Sequence, residues 1–269
     1  MDRYPNWNAA NGGQIVYERI AVGWDDVLAR GINQIWMLNL RSGERRYLGR
    51  GHQPVWSPDG RSITFGRQLR DGIIQVHRME IDSGEVAQLT VGPGQKPYSD
   101  WSPDGRSIVF TADGAALGLW HLDLATGAQR FLTRQITSSV CWSADGRWIA
   151  GGNGVRLTPF ATPDSVQVLL WMDAITPRFS PDGKSLGFVD YSVHERRATS
   201  VIDLDTMTKR RLVEYGLEMA FSPDGESFVY SALDSVSNVT VLYVARLDGT
   251  DCYQLTRLED YALPDSTGK

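Results

Sequence analysis

Trp56-Ser57-Pro58-Asp59-Gly60-Arg61-Ser62-Ile63-Thr64-Phe65 returns almost letter for letter as Trp101-Ser102-Pro103-Asp104-Gly105-Arg106-Ser107-Ile108-Val109-Phe110. Weaker copies begin at Trp142 (WSADGRWIA), Phe179 (FSPDGKSLGF) and Phe221 (FSPDGESFVY). A sixth, one residue longer in its turn, runs from Trp7 to Tyr17 (WNAANGGQIVY). The turn glycines Gly60, Gly105, Gly146, Gly183 and Gly225 are 45, 41, 37 and 42 residues apart, so six copies account for all 269 residues. A fixed period of this length marks an array of small units that stack on one another.

Each copy reads as two hairpins in succession. Pro-Asp-Gly supplies a fixed φ, an Asp that bonds its own backbone, and a residue that tolerates positive φ. The flanks alternate: Ile63 and Phe65 point one way, Ser62 and Thr64 the other. Third strands follow at Gln34 to Leu40, Leu117 to Leu124 and Val239 to Leu247. Each meets a turn (Ser42-Gly43, Thr126-Gly127, Asp248-Gly249), and short fourth strands such as Ala87 to Thr90 and Arg130 to Thr133 complete the unit. One four-stranded sheet cannot cover both of its apolar faces, but its neighbours in a ring can. The sequence therefore predicts an all-β fold, a six-bladed β-propeller of four-stranded antiparallel blades. A Trp or Phe before each turn is the expected wedge between blades. The expected blade limits are 1–51, 52–96, 97–138, 139–175, 176–217 and 218–269. Blade 4 departs most, with Ala144 for Pro, Gly151 for the strand aromatic, and no Thr-Gly turn between Asn153 and Asp173. Every repeat runs from inner to outer strand, so closure is expected to rest on blade 1 packing against blade 6, with Met1 to Pro5 or Glu259 to Lys269 helping.

The pattern WSPDG…I.F…DL.TG….LT resembles the TolB-type WD40-like (PD40) repeat, which also occurs in the tricorn protease and beside prolyl-oligopeptidase-type hydrolases. The resemblance covers nearly the whole chain. It implies a propeller that binds a protein partner or serves an adjoining enzyme domain.

Composition excludes other classes. With 42% hydrophobic and 22% charged residues, the chain is an ordinary globular protein, and its net charge of −5 opposes bulk attraction to nucleic acid. No window approaches about 18 uninterrupted apolar residues, so no membrane insertion is expected. The first residues lack an apolar signal region, which points to the cytoplasm; the periplasm stays open for a mature or excised domain. Cys141 and Cys252 have no metal or redox spacing.

Topology selects the candidate surface. Loops between repeats share a face with the loops joining second and third strands, and the latter are the longest: 20–31 with Trp24, Asp25 and Asp26; 67–71; and 190–197. Long loops on a rigid scaffold commonly carry function. The expected rim comprises Trp24, Asp25, Asp26, His52, Tyr98, Tyr191, His194, Arg196 and Arg197, types that suit binding hot spots. Residues preceding the wedge aromatic should line the channel: Asn6, Val55, Asp100, Cys141, Arg178 and Ala220. Asp100 and Arg178 stand out there. They read either as a pair gripping a ligand or a partner's side chain, or as charges at ease in a water-filled channel.

Several apparent motifs fall away. Gly183-Lys184-Ser185-Leu186-Gly187 fits G-x-S-x-G by letter, but the same positions are GRSIT, GRSIV, GRWIA and GESFV elsewhere, so this is a hairpin turn. A P-loop would need its first glycine at Arg178. His52, His77, His121 and His194 have no zinc spacing, and only His52 and His194 could reach the loop face, where propeller lyases resembling this repeat gather histidines around a metal. Asp25-Asp26 could join a cation site but more often marks solvation. The repeated Asp59, Asp104, Asp145, Asp182 and Asp224 belong to the turns.

No catalytic residue, metal or cofactor is assigned. The expected function is that of a non-catalytic scaffold, monomeric, binding a protein or peptide through its loop face. The alternatives are a propeller enzyme (metal-dependent lyase or hydrolase-associated propeller) and the propeller module of a larger enzyme. An enzyme should bring at least two of His52, Asp100, Arg178 and His194 within about 5 Å, with shifted pKa values.

Overall fold

The computed structural model describes residues 1–20, 33–152, 154–170, 174–193, 196–235, 237 and 239–257, with backbone alone at 193 and 196. They form six four-stranded antiparallel sheets. Blade 1 holds β1 (Asp2–Trp7), β2 (Gln14–Ile20), β3 (Asn33–Asn39) and β4 (Arg45–Arg50), and blade 2 holds β5 (His52–Trp56), β6 (Ser62–Gln68), β7 (Ile74–Glu80) and β8 (Val86–Gln88). Blade 3 follows with β9 (Ser99–Trp101), β10 (Ser107–Ala112), β11 (Gly118–Asp123) and β12 (Gln129–Thr133), and blade 4 with β13 (Val140–Trp142), β14 (Trp148–Gly151), β15 (Val155–Pro159) and β16 (Gln167–Leu170). Blade 5 contains β17 (Ala174–Phe179), β18 (Ser185–Val193), β19 (Arg196–Asp203) and β20 (Lys209–Glu214). Blade 6 contains β21 (Gly216–Phe221), β22 (Ser227–Asp234), β23 (Val239–Arg246) and β24 (Tyr253–Gln254). Each sheet is drawn from one repeat in chain order, and no strand is exchanged between blades.

The turns are fixed by a side-chain lattice. Ser57 Oγ donates to Asp59 Oδ1 at 2.6 Å and accepts from the Ser62 amide, while Asp59 accepts from the Arg61 amide. Ser102/Asp104, Ser143/Asp145, Ser180/Asp182 and Ser222/Asp224 repeat this arrangement. These bonds hold the five carboxyls below their usual range, Asp145 at about 2. The serine is therefore as much a part of the turn as Asp and Gly.

Packing follows the ring. The six apolar clusters each join two neighbouring blades: Val16, Ile35 and Met37 meet Trp56, Ile63 and Phe65 between blades 1 and 2, for example. Trp56, Trp101, Trp142 and Phe221 are 5–8% exposed at such seams, and Trp7 and Phe179 pack on theirs half-buried. The side chain at each seam removes apolar surface that a lone blade would leave wet. The closing seam uses the same device, with Ile15, Tyr17 and Leu38 of blade 1 against Ala220, Val229, Leu242 and Val244 of blade 6. Arg3 Nη2 adds an ion pair to Glu218 Oε1 at 2.5 Å, and Arg45 reaches the Leu255 carbonyl at 3.2 Å. Residues 259–269 lie outside the described residues. Blade 4 has its four strands, and Gly151 stands where a Cβ would lie 2.4 Å from the Ser139 carbonyl oxygen and 2.8 Å from Ile136, so the close approach there needs a glycine.

Candidate functional site

The first strands of the blades, β1, β5, β9, β13, β17 and β21, contact one another in sequence around the axis. Each runs from the loop face toward its Ser-Pro-Asp-Gly turn, so equivalent positions form stacked rings. At the turn end the rings enclose a funnel of about 380 Å³. Its lip is Ala9, Pro58, Pro103, Ala144, Pro181 and Pro223, and its wall is the six wedge aromatics. Below them lie Asn6, Val55, Asp100, Cys141, Arg178 and Ala220, the ring expected from sequence.

That lower ring fastens blade to blade. Asn6 Oδ1 accepts from the Trp56 amide at 2.9 Å, and Asp100 Oδ2 accepts from the Trp142 amide at 2.7 Å. Cys141 stands at the same level of the ring in blade 4, buried beside Arg178. Asp100 Oδ1 also accepts from the Trp101 amide at 3.0 Å, so both carboxylate oxygens are occupied. Burial pushes Asp100 up to about 6, against the opposing pull of Arg178. Arg178 Nη1 donates to the carbonyls of Val140 (3.3 Å) and Pro177 (3.1 Å). Among the described residues no carboxylate comes within 4.0 Å of its guanidinium, so Asp100 and Arg178 face a common channel without forming an ion pair.

Beyond this ring the channel narrows to about 10 Å³ between Tyr4, Gln53, Tyr98, Ser139, Thr176 and Arg178, room for about one water. Tyr4, Gln53 and Thr176 occupy equivalent positions in three blades and all lie at positive φ, 49°, 51° and 52°. Ladder registers slip there, and a β-branched residue in this region is strained, as at bulges that re-aim a chain toward a site. The Thr176 hydroxyl is buried and meets no hydrogen-bond partner among the described residues.

At the loop end a polar cluster joins blades 1, 2 and 6. Glu18, 2% exposed, accepts from the Asn33 side-chain amide and from the Gln53 backbone amide at 2.9 Å. The same Asn33 amide meets His52 Nδ1 at 2.7 Å; an amide nitrogen only donates, so Nδ1 is the acceptor. Glu218 pairs with Arg3 and accepts from Ser231 Oγ at 2.8 Å. Burial pushes Glu18 up to about 7 and His52 down, so their 3.9 Å approach is not an ion pair at neutral pH.

The residues expected from sequence thus divide between two ends. Asp100 and Arg178 floor the funnel, whereas His52 and Tyr98 stand at the loop end, Tyr98 in the throat and His52 in the Glu18 cluster. Tyr191 is 38% exposed, with the Arg197 guanidinium 5.3 Å over its ring. Trp24, Asp25, Asp26 and His194 lie outside the described residues, and Arg196 is described by its backbone in β19 alone. His52, Asp100 and Arg178 do not converge on shared partners. Arg3, Glu18 and Glu218 escaped the sequence argument. Glu18 carried a signal, since its equivalents Gly66, Thr111, Gly152, Val189 and Ser231 are all small or neutral.

No family model and no curated protein matches the sequence. Solved structures do match in fold. TolB from Acinetobacter baumannii superposes with a TM-score of 0.76 at 20% identity, over 88% of this chain and 62% of that one. A putative TolB from Agrobacterium tumefaciens gives 0.68 at 18% identity, over 91% and 90%. An oligogalacturonate lyase in complex with manganese gives 0.60 at 16% identity, over 95% and 77%. The chain thus spans less than two-thirds of the Acinetobacter protein. At these identities the likeness is one of fold, a TolB-like six-bladed propeller. Among the described residues no group of three or more His, Cys, Asp or Glu side chains is placed to hold a metal, and no helix is long and apolar enough to cross a membrane.

Proposed function

We propose that the protein is a non-catalytic binding scaffold that engages a protein or peptide partner around its central channel. One observation carries this: the titratable groups of the channel hold blades together, while shaped, accessible surface remains at both ends. Asp100 is committed to two backbone amides, Glu218 to Arg3 and Ser231, and Glu18 to Asn33 and Gln53. What is left is contact surface. At the loop rim it includes Tyr98, Tyr191 and Arg197, with Trp24, Asp25, Asp26, His194 and Arg196 on the adjoining loops by their place in the sequence. Aromatic and arginine side chains on a rigid frame suit a protein partner.

A photo-crosslinker at position 98 or 191 tests the reading. Capture of a defined partner there, and none from position 131 on the outer strand β12, is the expected result. One observation favours the enzymatic alternative: a buried acid near pKa 7 beside a neutral histidine, Glu18 and His52. Turnover of a uronate or peptide library that Glu18→Gln abolishes would replace the scaffold with an enzyme.

A further inference from the structure

Asp100 and Arg178 are the charged residues among the described residues that line the funnel, and they are not equivalent. Asp100 has each oxygen held by one backbone amide. Arg178 uses only Nη1, on two backbone carbonyls; its Nε and Nη2 meet no acceptor among the described residues. A guanidinium is never deprotonated in a protein and presents a fork that matches a carboxylate. Arg178 is thus a fixed positive charge at the funnel floor with one edge of its fork unmet among the described residues, and the partner that edge fits is an anion.

Shape restricts how an anion arrives. The floor ring lies three residues below the lip in each blade, and Arg178 turns its guanidinium further inward onto the Pro177 carbonyl. Three residues span at most about 10 Å of extended chain. That is roughly twice the reach of a glutamate side chain, and the throat beyond admits about one water. A chain passing across the lip could not lower an acidic side chain to Arg178; a chain end could. The wall around it is aromatic and proline, which favours apolar neighbours for the terminal group.

We propose that the turn-end funnel receives the C-terminal carboxylate of a partner polypeptide, with Arg178 as its counter-ion and the wedge aromatics holding the last few apolar residues. The inference deepens the scaffold reading and rests on it. It also assigns the opposite end of the channel from the loop rim a recognition role of its own.

The probe is N-acetyl-Gly-Ala-Leu-Phe with a free carboxylate, compared with its C-terminal amide and with benzoate, using calorimetry and the fluorescence of the funnel tryptophans at pH 8. The free acid is expected to bind about ten- to a hundredfold more tightly than the amide, the range for a charge-assisted contact. Arg178→Gln should bring the acid down to the level of the amide. That variant is expected to fold, because the same ring carries Val55, Cys141 and Ala220 in other blades. Asp100→Asn removes the nearby negative charge and should tighten the acid severalfold, an opposite sign that a merely structural effect would not produce. Equal binding of acid and amide, an acid that ignores Arg178→Gln, or no binding of the peptide at millimolar concentration overturns the proposal. Benzoate binding as tightly as the peptide overturns the polypeptide assignment. Any of these failures together with a partner still crosslinked at the loop rim leaves the scaffold reading standing and removes this one.

Discussion

Replacing Asp100 by Asn should make the protein more stable at pH 8 and less stable at pH 4. Burial raises the Asp100 carboxyl from its ordinary 3.8 to about 6. Below pH 3.8 the group is protonated in both folded and unfolded chains, and its contribution to stability is fully present. As pH rises toward and through 6, the unfolded chain ionises freely while the fold resists, so stability is lost. Two pH units correspond to about 3 kcal/mol for a wholly enclosed group. The carboxyl lines a funnel open to solvent, which reduces this to about 1–2 kcal/mol. Asparagine keeps one acceptor, and Asn6 serves the Trp56 amide that way in blade 1. It cannot also accept from Trp101, which costs about 0.5–1 kcal/mol. The net is a gain near 1 kcal/mol at pH 8, about 2 °C in Tm for a domain of this size, and a loss of similar size at pH 4. Near-UV circular dichroism of the tryptophans measures both. A variant equally destabilised at both pH values would refute the reasoning, because a cost independent of pH would mean that the lost hydrogen bond alone sets the effect and that burying the charge costs nothing.

Three more outcomes are expected. Glu18→Gln should flatten the fall in stability between pH 5 and 8, because burial raises this carboxyl from 4.5 to about 7 and stability is lost through that window; thermal melts of the variant that retain the full slope would refute it. Gly216→Ala should cost about 2–3 kcal/mol, since its Cβ would stand 2.1 Å from Thr199 Oγ1 and 2.9 Å from Thr199 Cβ, whereas Gly43→Ala, with open space around it, should cost about 1 kcal/mol of left-handed strain in urea titrations. Trp101→Ala should cost about 3–5 kcal/mol by emptying the seam between blades 2 and 3, while Phe131→Ala, 42% exposed on β12, should shift the urea midpoint little.

Local chemistry was legible where it repeats. The Ser-Pro-Asp-Gly turn appears five times with small variations, and each copy forms its turn from its own residues, so the turn, the hairpin and the wedge aromatic follow from a short window. Asp59 and its counterparts behave as the turn requires. The ring containing Asn6, Asp100 and Arg178 was also legible, because register places one residue per blade at that level. The partners of those residues were not. Asp100 reaches the amide of Trp142 and Arg3 the carboxylate of Glu218, 42 and 215 residues away in the chain. Glu18 has an unusual place in its strand, yet nothing near it in sequence says that Asn33 and Gln53 will enclose it.

The sequence by itself determined the unit, the number of units and the antiparallel order within each, because hairpins join neighbours and a period counts itself. The uniform order of the repeats also pointed to closure by blade 1 packing on blade 6 without strand exchange; tertiary structure decided which residues form that seam, and that the channel is pinched at Thr176. It also decided that a funnel of about 380 Å³ opens at the turn end, with the loop rim at the other. Those properties depend on the angle and spacing at which six blades meet, which are set by side chains packing across seams between residues far apart in the chain.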